Sequence, residues 1–343
     1  MRKSLSRLAF ALGLGAAVAV SSLPTTAKDV EKMETMGTIE RVDPAFDDLV
    51  PKSSSIEVLV SMKFDWAEGP VWDKAGEKVI FSDIPKNMAW EYSKKGGLKE
   101  FLKPSGYTGK ADFTGKEPGS NGLAFNKAGE LILCMHGDRR VAKWKDGKFV
   151  TLVDKYEGKR LNSPNDLAIK SDGSIYFTDP PYGLPLIMKD PAKELDFQGV
   201  YRLTADGKLT LLTKEMSRPN GIAFSPDEKT LYVANSDPDK ANWMAFPVKE
   251  DGTLGEGKEF ADNSKAVKDG KKGLPDGLKT DTKGNVWATG AGGVYVFSPA
   301  GKHLGTLATG VPTANVGWGD DGSTLYVTAD KSLVRVRTKA KGW

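Results

Sequence analysis

Cysteine is almost missing from this chain: 343 residues contain one, Cys134, so no intramolecular disulfide can form. It stands between Leu133 and Met135 and reads as a small buried hydrophobe rather than a nucleophile. Histidine is nearly as scarce, with two residues, and two imidazoles with one thiol do not make a zinc centre of the usual kind. No segment sustains a helical period, which argues against an α/β barrel. No apolar run is long enough to span a bilayer. Charge of one sign is also wanting. The formal net charge is +4 and falls to about +1 without the first 27 residues, so nucleic acid is not an implied partner.

Those first residues have a pattern of their own. Arg2, Lys3 and Arg7 precede an apolar run from Leu8 to Val20, and Thr25-Thr26-Ala27 follows as a small-residue cleavage site. This is the layout of a signal peptide over residues 1–27. The expectation is an exported protein, periplasmic or secreted. Residues 28–55 read as a spacer with little pattern, and residues 56–343 as a single domain.

What fills that domain is a phrase repeated six times: Glu68-Gly69-Pro70-Val71-Trp72, Asn121-Gly122-Leu123-Ala124-Phe125, Asn165-Asp166-Leu167-Ala168-Ile169, Asn220-Gly221-Ile222-Ala223-Phe224, Asp276-Gly277-Leu278-Lys279-Thr280 and Asn315-Val316-Gly317-Trp318. After each comes a turn and a β-branched or aromatic run, such as Lys78–Phe81, Ser174–Phe177 or Leu325–Thr328. Further runs and turns follow, as antiparallel hairpins require. Four strands per unit of roughly 40–55 residues is the pattern of a propeller blade. The fold class is therefore all-β, a six-bladed β-propeller. The last unit has only three strands, and Ser55–Met62 has no blade of its own. That early strand is expected to complete the last blade, so that both chain ends share it and no sheet edge stays open.

In a ring, the leading residues Glu68, Asn121, Asn165, Asn220, Asp276 and Asn315 meet at the axis. The ends of the second strands share that rim, which places His136 and Asp179 near the same mouth. Carboxylate and amide oxygens suit a hard divalent cation such as calcium. Glu68 and Asp276 balance its charge, and Asn165 and Asn220 add neutral donors. Such an ion polarises a carbonyl and helps generate a nucleophilic water, while a neighbouring carboxylate accepts a proton. Ester, lactone and phosphoester cleavage all fit. A structural ion in the tunnel, or polar side chains satisfying one another in a wet channel, fits as well. Other catalytic patterns fail. There is no Gly-x-Ser-x-Gly elbow, and Gly252–Glu259 has Glu259 where a phosphate loop needs Ser or Thr.

Four of the phrases, in order, resemble the regucalcin/gluconolactonase family: Ala67–Trp72, Asn162–Leu167, Arg218–Ala223 and Leu274–Leu278. The resemblance covers the chain after residue 55. Within it, Cys134–Arg140 and Phe177–Gly183 look like the bacterial gluconolactonase branch. It implies a divalent metal, usually calcium with zinc, manganese or magnesium open, held by Glu68, Asn165, Asn220 and Asp276. It also implies Asp276 as the base against a lactone carbonyl. The animal branch carries Arg two residues before the Asn equivalent to Asn165, where this chain has Ser163. Substrate contacts must then come from elsewhere, and Asn121, His136, Arg160 and Tyr182 are the candidates. Leu184–Phe197 and Lys103–Ser120 are candidate lids. The resulting expectation is a calcium-dependent lactonase opening a gluconolactone-like sugar lactone, monomeric or weakly dimeric. The alternatives are a phosphotriesterase-like hydrolase on the same scaffold and a non-catalytic propeller that binds a sugar or a protein.

Overall fold

A computed structural model describes residues 33–343, so the expected signal peptide and the first spacer residues lie outside the described residues. The β-branched runs form strands, and tight turns join them. At Asp146-Gly147 both central residues have positive φ (+49° and +74°), the geometry that lets a two-residue turn follow the twist of its flanking strands.

Six antiparallel blades and a separate two-stranded hairpin result, and the strands of blades one to four run in chain order. Blade one is Ala67–Asp73, Lys78–Asp83, Met88–Ser93 and Gly97–Leu102. Blades two to five begin on the inner strands Ser120–Phe125, Leu167–Ile169, Pro219–Phe224 and Leu278–Thr280. The inner strand of blade six, Thr313–Gly319, packs back against Ala67–Asp73 and closes the ring. Apolar side chains fill the gaps between blades. Tyr176 and Val200 of blade three, for example, meet Ile222, Phe224, Leu231 and Phe246 of blade four. Each such side chain removed from water contributes about 1.5–3 kcal/mol. The blades are thus glued face to face and the axis is left for polar groups.

The shared last blade is as expected. Glu57–Val60 pairs antiparallel with Ser332–Arg337, placing Glu57 opposite Arg335 and Val58 opposite Val334. The Arg335 guanidinium donates to Glu57 at 2.7 Å across the seam.

The spacer expected over residues 28–55 needs correction. Thr38–Arg41 adds a fifth strand to blade five, pairing with His303–Ala308. Pro44–Asp48 forms a 3-10 turn capped by Asp43, whose carboxylate accepts from Ala45 N at 2.9 Å. Phe46 is fully buried and, with Leu49, Val50 and Ile56, joins the core between blades five and six. Its ring packs so close to Gly305 that a Cβ there would stand 2.6 Å from it. The segment is short and its apolar residues follow no period. Its order comes from the blade beneath it, which a local pattern cannot show.

Candidate active site

The leading residues of the repeated phrases do converge. A cavity of about 390 Å³ opens at one end of the axis, and Glu68, Asn121, Asn165, Asn220 and Asp276 all line it. Two devices bring five blades this close. The first is glycine after the leading residue. A Cβ on Gly221 would stand 2.1 Å from the Asp276 carbonyl, and one on Gly277 would stand 1.9 Å from Asn315 Cγ. The second is a hydroxyl on the second strand that holds the next blade's phrase: Ser82 donates to Asn121 O at 2.9 Å, Thr178 to Asn220 O at 2.7 Å and Thr289 to Ala314 O at 3.0 Å. Backbone carbonyls that would otherwise crowd the axis are thereby satisfied.

The donors facing the cavity are left without partners. Asn121 Oδ1, Asn165 Oδ1 and Asp276 Oδ1 are buried and accept no hydrogen bond. An orphaned buried oxygen is costly, and several of them around one cavity mark a place built for an electropositive partner. The amide ends are tied: Asn220 Nδ2 donates to Ser236 Oγ at 3.0 Å, and Asn165 Nδ2 lies 3.5 Å from His136 Nε2. Glu68 Oε2 accepts from Gly69 N at 2.8 Å and from Asn315 Nδ2 at 3.1 Å. Asn315 is therefore a brace for Glu68 and is not itself aimed into the cavity.

Burial dominates the electrostatics. It pushes the Glu68 carboxyl up to about 8, with the charge of Asp166 adding to the effect and the Gly69 and Asn315 hydrogen bonds opposing it. Asp276 is likewise held well above the usual carboxylate range, first by burial and then by Glu68 and Asp166. Two carboxyls that resist ionising unless a cation joins them, with neutral amide oxygens alongside, form a hard donor set that fits calcium. No group of three His, Cys, Asp or Glu side chains poised for a metal occurs among the described residues. Half of the expected ligands are asparagines.

The candidate substrate contacts divide. Asn121 and Tyr182 line the cavity, and burial raises the Tyr182 phenol, which keeps it a neutral donor. His136 is fully buried behind Asn165, with Glu117 Oε2 at 3.1 Å from its Nδ1, an approach short of an aligned hydrogen bond. It braces the rim and is not among the residues lining the cavity. Arg160 is not brought to the cavity. It lies in an exposed two-stranded hairpin, Lys155–Tyr156 with Lys159–Arg160, and donates to Asp138 O at 3.0 Å. Asp179, expected at the mouth, faces away from it. Its Oδ2 takes Asn162 N at 2.8 Å, and burial pushes it up to about 7. Asp83 and Asn235 do the same for Asp65 and Arg218, so a side chain at or near the end of these second strands caps the turn that enters the inner strand. Of the expected lids, Lys103–Ser120 supplies Glu117 to the wall, while Leu186, Ile187 and Met188 of the other are exposed.

Four residues that bear on the site escaped the sequence reasoning. Trp66 and Ser236 line the cavity beside residues already singled out, Trp66 just before the first phrase and Ser236 just after a second-strand end. Glu117 comes from an aperiodic loop that carries no signal. Asp166 is inside a quoted phrase but occupies the position where four other blades have glycine.

Comparison with known proteins follows the same lines. Residues 66–331 match the SMP-30/gluconolactonase/LRE-like region. The chain is 39% identical to a gluconolactonase of Zymomonas mobilis over 341 residues, covering 95% of this chain and 93% of that protein. A solved gluconolactonase from Xanthomonas campestris superposes with a TM-score of 0.77 at 30% identity, over 89% of this chain and 96% of the other. A regucalcin from Agrobacterium tumefaciens, described as calcium-binding, shares the fold with a TM-score of 0.66 at 20% identity, over 83% of this chain and 94% of the other.

Proposed function

The chain belongs to the SMP-30/gluconolactonase/LRE-like family, and from that premise we propose that it hydrolyses a sugar lactone, gluconolactone-like, to the aldonic acid in the axial cavity. One divalent cation, calcium in the first instance, would be held by Glu68, Asn165, Asn220 and Asp276. The observation that carries this is the set of buried, unpartnered oxygens on Asn165 and Asp276 facing one cavity beside Glu68. When bound, the cation would polarise the lactone carbonyl.

The chain's own residues do the rest. Asp276 takes a proton from water through its carboxylate. The water oxygen bonds to the carbonyl carbon, the ring C–O bond breaks, and the proton is delivered to the departing ring oxygen. Asn121 and Tyr182 offer hydrogen bonds to sugar hydroxyls, and Trp66 offers a flat apolar wall to the ring face. Leu274 and Pro312 restrict water on the remaining side. The signal-like N-terminus supports export to the periplasm or beyond as part of the same proposal. Among the described residues no helix is long and apolar enough to cross a membrane.

Asp276→Asn tests the assignment of the base. Turnover on a panel of aldonolactones should fall by about 10²–10⁴-fold, with an unchanged far-ultraviolet dichroism spectrum. Turnover like the unaltered protein's would remove Asp276 from the chemistry.

A further inference from the structure

We propose that Lys279 is the built-in counter-charge to Asp166 beneath the donor ring, and that it limits the axis to one divalent cation of moderated affinity. The inference rests on the cation assigned to the ring above and concerns residues to which that assignment gives no part.

Blade three departs from the glycine rule of its neighbours. Where blades one, two, four and five have Gly69, Gly122, Gly221 and Gly277, it has Asp166. This carboxylate is only 2% exposed. Its Oδ1 accepts from Leu167 N at 2.8 Å, and its Oδ2 lies 3.4 Å from Asn315 Nδ2. The same amide donates to Glu68 Oε2 at 3.1 Å. One asparagine therefore spans two carboxylates, and Asp166 sits directly below the ring. Its charge acts on both Glu68 and Asp276. A divalent ion balances two carboxylates, and a third buried one would leave an uncompensated charge.

The compensation enters from the other end of the axis. A second cavity of about 390 Å³ opens there, lined by inner-strand residues including Trp72, Phe125, Phe224 and Trp318. Lys279 is the one charged side chain among its lining residues. Its stem lies along this apolar wall, and its ammonium points up the axis, donating to Leu278 O at 3.0 Å and approaching Asp166 Oδ2 to 3.9 Å. With about a quarter of the side chain exposed, it is screened from bulk water on most sides. An ammonium so placed in an apolar funnel gains its stabilisation from the one anion within reach. The axis then reads, from mouth to base, as ring, amide brace, carboxylate and ammonium.

Calcium titration by calorimetry on the purified full chain tests this. The unaltered protein should bind one calcium. Lys279→Met should tighten calcium by on the order of tenfold, or admit a second ion, because a repelling charge is gone. Asp166→Asn should weaken it by a similar factor, and Lys279→Arg should match the unaltered protein. The Asp166→Asn/Lys279→Met double variant should return to within about threefold, since the pair is removed together. Thermal melts of metal-free Lys279→Met should show a larger rise on adding calcium than the unaltered protein does. Affinities within twofold in both single variants, or a double variant no closer to the unaltered protein than either single, would overturn the Lys279–Asp166 pairing while leaving the ring intact. Absence of calcium binding by the unaltered protein would instead overturn the ring and the pairing together.

Discussion

Calcium binding should expel protons. Without a cation, burial holds Glu68 at about 8 and pushes Asp276 well above its ordinary range, so at pH 7 Glu68 is mostly protonated. A cation needs both carboxylates ionised, so its binding must release the Glu68 proton. The apparent affinity should therefore rise with pH, by up to ~10-fold per unit between pH 6 and 7 from Glu68 alone. Calorimetric titration at pH 7 in buffers of different ionisation enthalpy counts the protons directly, and about one is expected from Glu68. Stability without metal has the matching sign. Glu68 binds its proton more tightly in the folded protein than in the unfolded chain. Its contribution is therefore complete below about pH 4.5 and is lost as pH rises through about 8. The loss is at most roughly 5 kcal/mol. Saturating calcium should reverse it. Identical binding enthalpies in all buffers, with calcium bound, would show that the carboxylates are already ionised in the empty cavity, and the argument from burial would fail.

Two further outcomes follow from packing. Phe46→Ala removes a fully buried ring from the core between blades five and six. It should cost about 3–5 kcal/mol, a fall in melting temperature of roughly 5–15 °C, with activity at 25 °C little changed; a shift under 2 °C would mean that the N-terminal segment is not held by that contact. Gly277→Ala would bring a methyl to 1.9 Å from Asn315 Cγ, so the brace on Glu68 must move. Calcium affinity should drop at least tenfold, a loss of about 1.4 kcal/mol, and affinity within twofold of the unaltered protein would separate Asn315 from the ring.

The repeated phrases made the blades legible because each carries its own turn chemistry and strand period. The axial residues were legible because rotation about the ring superimposes them. Leu167-Ala168-Ile169 needs only itself and the next run to be recognised as a strand. Phe46 and Thr38–Arg41 need blade five before they have anything to pair with, and so they read as spacer. The same distinction separates the site residues. Glu68, Asn121, Asn165, Asn220 and Asp276 follow from the repeat. Glu117 reaches the cavity from a loop whose path is set by contacts such as Asn87 Oδ1 with the Tyr107 amide. Arg160 is near Asn165 in the chain but not in the site, because the exposed hairpin carries it off. Asp179 was misplaced by one step of strand alternation, which turns its side chain from the axis to the turn.

The seam in the last blade has a consequence for how the molecule comes into being. Glu57 and Arg335 are separated by 278 positions, so one half of the joint is among the first strands synthesised and the other among the last. Contacts this distant along the polymer must wait for an expensive closure of the intervening loop. Until it happens the early strand is held only by its neighbour, where Val58 N donates to Glu34 O at 2.8 Å, and blade six is an open edge. The cavity, lined by residues from Trp66 to Thr313, is therefore a property of the finished circle.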